Sequence, residues 1–415
     1  MKRKSLLVAF LAGSVLSAAT GAAEDPALAA KALLWHERAL TVDTHCDTPF
    51  KLLEPGWDIG QYHRTGERGS GCQDLPRMKE GGLDASFFAV FVGQGPRTPE
   101  GYADARDKAV AILDGMDAMY RKYPELCGLA LTPGDARRLE QEGKRAIFIG
   151  MENGYPLGRD PEWIDAFYRR GVRYVTLAHT ADNDICDSAT DRRDPEDRGL
   201  SDWGRQVVRR LNDLGVMVDV SHISDRSFFD VLALTRAPVI ASHSCARALS
   251  ASPRNLTDEM LLALKKNGGV VQLCILTDYV KQPPADAGRD KAFEDFYRRI
   301  QETYGGWGGI KTPSERAKVE AEHDALEARY PQPPVYVKDA VDHIDHIVKL
   351  IGIDHVGIGT DFDGGGGLAD CRDATELKNI TIELARRGYT EEQVAKIWGG
   401  NVMRVMQQVI DLAKK

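Results

Sequence analysis

The chain has 415 residues, of which 43% are hydrophobic, 28% charged and 7% aromatic. Those fractions describe a globular protein with a sizeable core, and they exclude a disordered chain, a collagen-like fibre and a multispanning membrane protein. The formal net charge is −8 and no basic run lies beyond the extreme N-terminus, which leaves a nucleic-acid partner without electrostatic support.

The first element is a processing signal. Lys2, Arg3 and Lys4 precede an apolar run from Leu6 to Leu16, and small residues cluster from Ser17 to Ala23 ahead of Glu24 and Asp25. This reads as a secretory signal peptide over residues 1–23, its apolar run too short for a convincing membrane span. No cysteine follows it to carry a lipid, and no apolar tail marks an anchor signal at the C-terminus. The expectation is an exported protein, periplasmic or secreted, with no membrane span and a single domain over 24–415. Its cysteines are Cys46, Cys72, Cys127, Cys186, Cys245, Cys274 and Cys371. Their odd number leaves at least one thiol free or paired between chains, and no C-x-x-C pair suggests a zinc ribbon. Buried small apolar side chains are the expected role for most.

Eight short β-rich runs follow: Leu40–Thr44, Ala85–Val92, Ala146–Met151, Arg173–Ala178, Val216–Val220, Val239–Ser242, Val270–Ile275 and Val356–Thr360. Most are nearly continuous apolar segments, as parallel strands buried on both faces require. Between them apolar residues recur at helical spacing. Trp203, Val207, Val208, Leu211 and Leu214 end at Gly215, and Val341, Ile344, Ile347, Val348 and Ile351 end at Gly352. Eight strand–helix units predict an α/β fold of the closed (β/α)8, TIM-barrel type, and the lack of a G-x-G-x-x-G after the first strand weakens a dinucleotide-binding sheet. Between the seventh and eighth strands, Lys281–Val337 is long, charged and punctuated by Pro283-Pro284, Gly305-Gly306 and Pro331 to Pro334. It predicts a helical insertion above the barrel, serving as a lid or as an oligomer contact such as a homodimer interface.

The strands end in polar residues. The ends are Thr44-His45-Cys46-Asp47, Glu152-Asn153, His179-Thr180, Ser221-His222, Ser242-His243-Ser244 and Thr360-Asp361-Phe362-Asp363. In this barrel the C-terminal strand ends build the active site, so six of the eight ends deliver a His, Asp or Glu to one mouth. His45 and Asp47, two apart, share a strand face and suit one metal ion. Glu152 offers two oxygens and suits a bridge between two ions, and His222 and His243 come from adjacent strands to hold the second. Imidazole and carboxylate together suit zinc. Cys46 alternates away from its neighbours and is expected to pack. His343 and His346, three apart, flank core-facing Ile344 and are expected on a solvated helix face. Arg254, in the loop after the sixth strand, is either solvated or an anchor for an anionic substrate at a carboxylate-rich mouth. Asp361 is placed to manage protons.

Asp43-Thr44-His45-Cys46-Asp47-Thr48-Pro49 resembles the opening metal motif of the membrane (renal) dipeptidase family, within the amidohydrolase superfamily. Asp74-Leu75-Pro76-Arg77, Gly150-Met151-Glu152-Asn153-Gly154, Leu177-Ala178-His179-Thr180, Val218 to Ser224, Ala237 to Ser244, Arg254-Asn255-Leu256 and Gly359 to Gly364 are similar to later motifs of that family. The resemblance runs from about Thr41 to Met406. It implies two zinc ions per chain, one on His45, Asp47 and Glu152, the other on Glu152, His222 and His243. It also implies that His179 contacts the scissile carbonyl oxygen, that Arg254 binds the dipeptide's C-terminal carboxylate, and that Asp361 takes a proton from the metal-bridging water, leaving the attacking hydroxide, and passes it to the leaving amine. The expected activity is hydrolysis of small dipeptides, including those with a C-terminal D-residue. Another barrel metallohydrolase, such as a lactonase or a deaminase, and a non-catalytic periplasmic binding protein are the alternatives. His45-x-Asp47 in place of His-x-His, together with Arg254, argues against the first; the full ligand set with Asp361 argues against the second. The chain departs from the family where Cys46 stands in place of the frequent Asn, and in the length of the Lys281–Val337 insertion.

Overall fold

The computed structural model describes residues 25–413 apart from 68, 192, 194, 195, 305–309 and 311, so the signal-peptide reading at 1–23 lies outside the described residues. Among the described residues one parallel sheet contains β1 (Val42–Cys46), β2 (Ala85–Phe91), β3 (Cys127–Leu129), β4 (Arg145–Glu152), β5 (Val172–Thr176), β6 (Met217–Asp219), β7 (Ile240–Ser244), β8 (Val270–Leu273) and β9 (Val356–Ile358). All eight expected strands are present. The path runs β1-β2-β4-β5-β6-β7-β8-β9, with β3 off it and paired to β4. β3 was not expected. It occupies the edge of Arg145–Ile147 below the point where β5 joins at Ile149, so it fills the base of the wall rather than the mouth. Closure comes just past the ends of β9 and β1, where Asp361 N donates to His45 O at 3.0 Å and Asp47 N to Phe362 O at 2.8 Å. The fold is the TIM-type barrel.

Registered parallel neighbours point to the same side of a sheet. Phe91 pairs with Glu152, and Gly150 with Tyr174, so these positions share the interior face. Below them Phe87 stacks on Phe148 with ring centroids 4.5 Å apart and lies 5.5 Å from Tyr174. This aromatic layer is a packed floor beneath the mouth. The helices are started and stopped by local chemistry. In Asp202–Leu214 the Ser201 side chain accepts from Gly204 N, Gly215 ends the helix at φ 74°, and Val207, Val208 and Leu211 face the core. Such a cap contributes about 1 kcal/mol.

The insertion is helical, as expected: Ala287–Tyr304 and Pro313–Arg329 form a pair with a small core of its own made by Phe296, Ile300, Ile310 and Val319. The next helix, Val337–Ile351, corrects one reading. His343 is buried, not solvated, because Ala246 N and Val280 O close around its ring at 3.0 and 2.8 Å. His346 stays on the rim, 2.7 Å from Asp258. All seven cysteines are free thiols, and six are buried.

Candidate metal centre

The bulge between Asp43 and Cys46 decides what β1 offers the mouth. Thr44 Oγ1 reaches across the interior to the carbonyls of Ser242 and Ile358, at 2.7 and 3.2 Å. After the bulge His45 faces the mouth and Cys46 turns out toward Gln73 and Ser86, at 3.6 and 3.5 Å, which is the packing role expected of it. Burial and nearby Asp43 push its thiol well up, so it is no nucleophile.

Glu152, at the end of β4, divides its carboxylate between two groups. Oε2 lies 3.4 Å from His45 Nε2, which is itself 3.5 Å from Asp47 Oδ2. Oε1 lies 3.1 Å from His222 Nε2 and 3.5 Å from both His243 Nε2 and His179 Nε2. His222 Nε2 and His243 Nε2 lie 2.7 Å apart, both beside Glu152 Oε1. Asp361 Oδ1 is 3.9 Å from His45 Nε2, and the donor atoms of His45, His243 and Asp361 also converge. His45 Nε2 and Asp47 Oδ1 are buried without a hydrogen-bond partner among the described residues. Buried polar atoms normally have partners. These donors therefore fit bound metal ions.

Electrostatics points the same way. Burial opposes charge on His45, yet Tyr174, Glu152 and Asp47 hold its pKa well above the ordinary value, marking a place that favours positive charge. Burial, with Arg254 adding to it, takes His179 down to about 3 and holds His222 and His243 well below the usual range. Neutral imidazoles keep the lone pair that a metal needs. Burial raises Glu152 and Asp361, which a nearby cation would relieve.

Two site residues sit in left-handed backbone, His222 at φ 69° and Asp361 at φ 64°. Such positions cost a non-glycine residue on the order of 1 kcal/mol and persist where the surroundings fix them. At Asp361 the turn is fixed by its carbonyl, which accepts from Gly364 N at 3.0 Å and Gly366 N at 2.7 Å. A Cβ on Gly364 would lie 2.3 Å from both Asp361 Oδ1 and Asp47 Oδ2, so only glycine lets the chain pass those carboxylates.

Sequence reading missed the residues behind the donors. Tyr174 OH meets His45 Nδ1 at 2.7 Å, and Ser242 Oγ meets His243 Nδ1 at 2.8 Å while donating to Asp219 at 2.6 Å. Asp219 also accepts from Thr176 Oγ1 at 2.5 Å and from the amides of Ser221 and Ser242, at 3.0 and 2.9 Å. Asp43 does the same for β9, accepting from Thr360 N and Oγ1 at 2.8 and 2.7 Å. A signal for both was available: a carboxylate inside or beside an otherwise apolar strand needs a buried purpose. Tyr174 gave no signal, since its place depends on Gly150, where a Cβ would lie 2.0 Å from the phenol ring. Tyr174→Phe is expected to weaken metal binding by roughly 10–100-fold, as for other partners of ligating histidines. Gly150→Ala should do at least as much. Titration with a competing chelator checks both.

Arg254 is buried, against the solvated alternative. Its Nη2 donates to His243 O at 3.1 Å, its guanidinium carbon lies 5.2 Å over the Tyr279 ring, and its Nε is buried without a partner among the described residues. All the candidate residues thus gather at one mouth.

The membrane dipeptidase family (peptidase family M19) matches residues 29–415. The chain belongs to that family. Dipeptidase ataJ of Aspergillus terreus is 31% identical over 407 residues, covering 91% of this chain and 86% of that protein. Among solved structures, the probable dipeptidase PvdM from Pseudomonas aeruginosa is similar at 33% identity and a TM-score of 0.80, covering 94% of this chain and all of that one. The dipeptidase AC, a metallopeptidase of the same family, is 25% identical with a TM-score of 0.70, covering 89% and 98% of the two chains. Family membership makes the chain a metallo-dipeptidase, a hydrolase that works with metal ions. The converging donors of β1, β4, β5, β6, β7 and β9 are where this family member would hold them.

Proposed function

We propose that this protein is an exported binuclear zinc dipeptidase acting on small free dipeptides. The observation that carries the reading is the division of Glu152, one oxygen toward His45 and Asp47 and the other toward His222 and His243. In it, His45, Asp47 and Glu152 hold one zinc and Glu152, His222 and His243 the other. Bound there, two such ions would supply Lewis-acid polarisation of the scissile carbonyl and a water acidic enough to react at neutral pH. Neutral His179 donates its ring N–H to the carbonyl oxygen as that oxygen gains charge. Arg254 receives the substrate's C-terminal carboxylate, with its unpartnered Nε and its fork geometry suited to two parallel hydrogen bonds. Asp361 accepts a proton at its carboxylate and returns it to the departing amine. Export rests on the N-terminal basic, apolar and small-residue pattern.

The test is a panel of free dipeptides, including C-terminal D-residues, and their C-terminal amides, on protein of measured metal content. Two zinc ions per chain, loss of turnover after chelation and a much lower kcat/KM for the amides than for the free dipeptides are the expected results. Full turnover by metal-free protein would sink the reading. Arg254→Lys is expected to impair free dipeptides already, since an ammonium cannot make the planar two-pronged contact. Equal kcat/KM for wild type and this variant would return Arg254 to a structural role.

A further inference from the structure

We infer that His343 is a positioning residue for substrate-carboxylate recognition, fastening together the two loops that carry Arg254 and Tyr279. This rests on the reading of Arg254 given above and extends it to a residue outside the mouth.

His343 lies on the helix Val337–Ile351 and is 1% exposed. Its Nδ1 accepts from Ala246 N at 3.0 Å, which fixes the hydrogen on Nε2, and Nε2 donates to Val280 O at 2.8 Å. Burial keeps its pKa below the ordinary histidine value, so Nδ1 stays an acceptor. The two groups it joins belong to different loops. Ala246 opens the loop after β7 and bridges to Leu256, closing the loop around Arg254. Val280 ends the short helix Thr277–Val280 after β8 and directly follows Tyr279, the residue beneath the Arg254 guanidinium.

A second tie runs parallel to the first. Asn255, fully buried, accepts from Cys245 N at 3.3 Å and donates to Ser250 O at 2.9 Å and to Tyr279 O at 2.8 Å. Asn255 thus links the two loops from the side of Arg254, and His343 links them from the side of Tyr279. Between these ties Arg254 has, among the described residues, a single hydrogen bond from its guanidinium, to His243 O. Its direction therefore depends on how the loops are held relative to one another. A buried imidazole suits the task because it accepts from one backbone group and donates to another on opposite ring edges, in one rigid plane.

The experiment compares wild type, His343→Phe, His343→Gln and Arg254→Met. The readouts are KM and kcat for one free dipeptide and for its C-terminal amide, zinc content and thermal midpoint. His343→Phe fills the space without either hydrogen bond. It should raise KM for the free dipeptide by roughly tenfold, equivalent to about 1.4 kcal/mol, with kcat, zinc content and amide kcat/KM near wild type. His343→Gln offers both an acceptor and a donor and should recover most of the lost KM. A purely structural role predicts something else: a smaller active fraction, seen as lower kcat on both substrates at unchanged KM. That result, or an unchanged KM, overturns the inference while leaving Arg254 intact, provided that Arg254→Met erases the preference for free dipeptides. If His343→Phe fails to fold, His343→Leu, which likewise has no polar atom, takes its place: a KM rise without a kcat change upholds the inference, and wild-type KM, with or without lower kcat on both substrates, overturns it. If Arg254→Met keeps the preference, the reading of Arg254 fails and this inference with it.

Discussion

Glu152→Gln is expected to release at least one metal ion and to stop dipeptide turnover. The carboxylate is nearly fully buried at the end of β4, and both of its oxygens are committed, Oε2 to His45 at 3.4 Å and Oε1 to His222 at 3.1 Å. An amide has the same shape but one oxygen, no charge and two N–H donors. It cannot serve two cations, because its NH2 would stand in place of a ligating oxygen on the side of either His45 or the His222–His243 pair and has no lone pair to offer. Activity should therefore fall by more than the roughly 10²–10⁴-fold typical of losing a general acid–base residue. Metal analysis and turnover on the same preparation decide the matter. Two tightly held ions in the Gln variant would show that Glu152 does not bridge, and the division of ligands would have to be redrawn around His45, His243 and Asp361.

Asp361→Asn should retain both ions and lose kcat by roughly 10²–10⁴-fold, with KM little changed. The substitution is a clean one. Asp361 sits at φ 64°, a conformation that Asn tolerates as well as Asp, so the turn closed by Gly364 and Gly366 is kept. Among the described residues the hydrogen bond to its carboxylate is from the Cys274 thiol, at 3.7 Å on Oδ2, leaving Oδ1 to face His45 at 3.9 Å. An Asn there keeps the shape and one oxygen to accept from the Cys274 thiol, while its NH2 stands where Oδ1 was and cannot take a proton. Loss of one ion together with activity would make Asp361 a ligand, which its convergence with His45 and His243 permits. Full activity would leave it a strand-end aspartate that shapes the Gly364 turn.

The barrel and its donors could be read from the sequence because both are local patterns governed by one global rule. A continuous apolar run reads as a strand buried on both faces, and a parallel (β/α)8 barrel sends every strand's C-terminal end to the same mouth. Once the eight runs were placed, His45, Asp47, Glu152, His179, His222, His243 and Asp361 had to lie near one another, however far apart in the chain. Which oxygen or nitrogen faces which was beyond that rule. The bulge in β1 turns Thr44 and His45 both inward, against simple alternation, and no residue type in Asp43-Thr44-His45-Cys46 announces it.

Asp43 and Asp219 stood out as carboxylates in apolar strands, but which donors the buried partners serve was decided by closure and register. Tyr174 reaches His45 across 129 residues of sequence, and only because Gly150 on the intervening β4 leaves room for its ring. His343 shows the limit most plainly. Its spacing from His346 and its place beside Ile344 are equally compatible with a solvated helix face. What buries it is the arrival of Ala246 and Val280 from two other strand ends. Periodicity reports which face of a helix is apolar; it does not report which distant backbone groups will need a hydrogen bond there. That demand arises only when the loops have been brought together, and it fixed the side chain that could meet it.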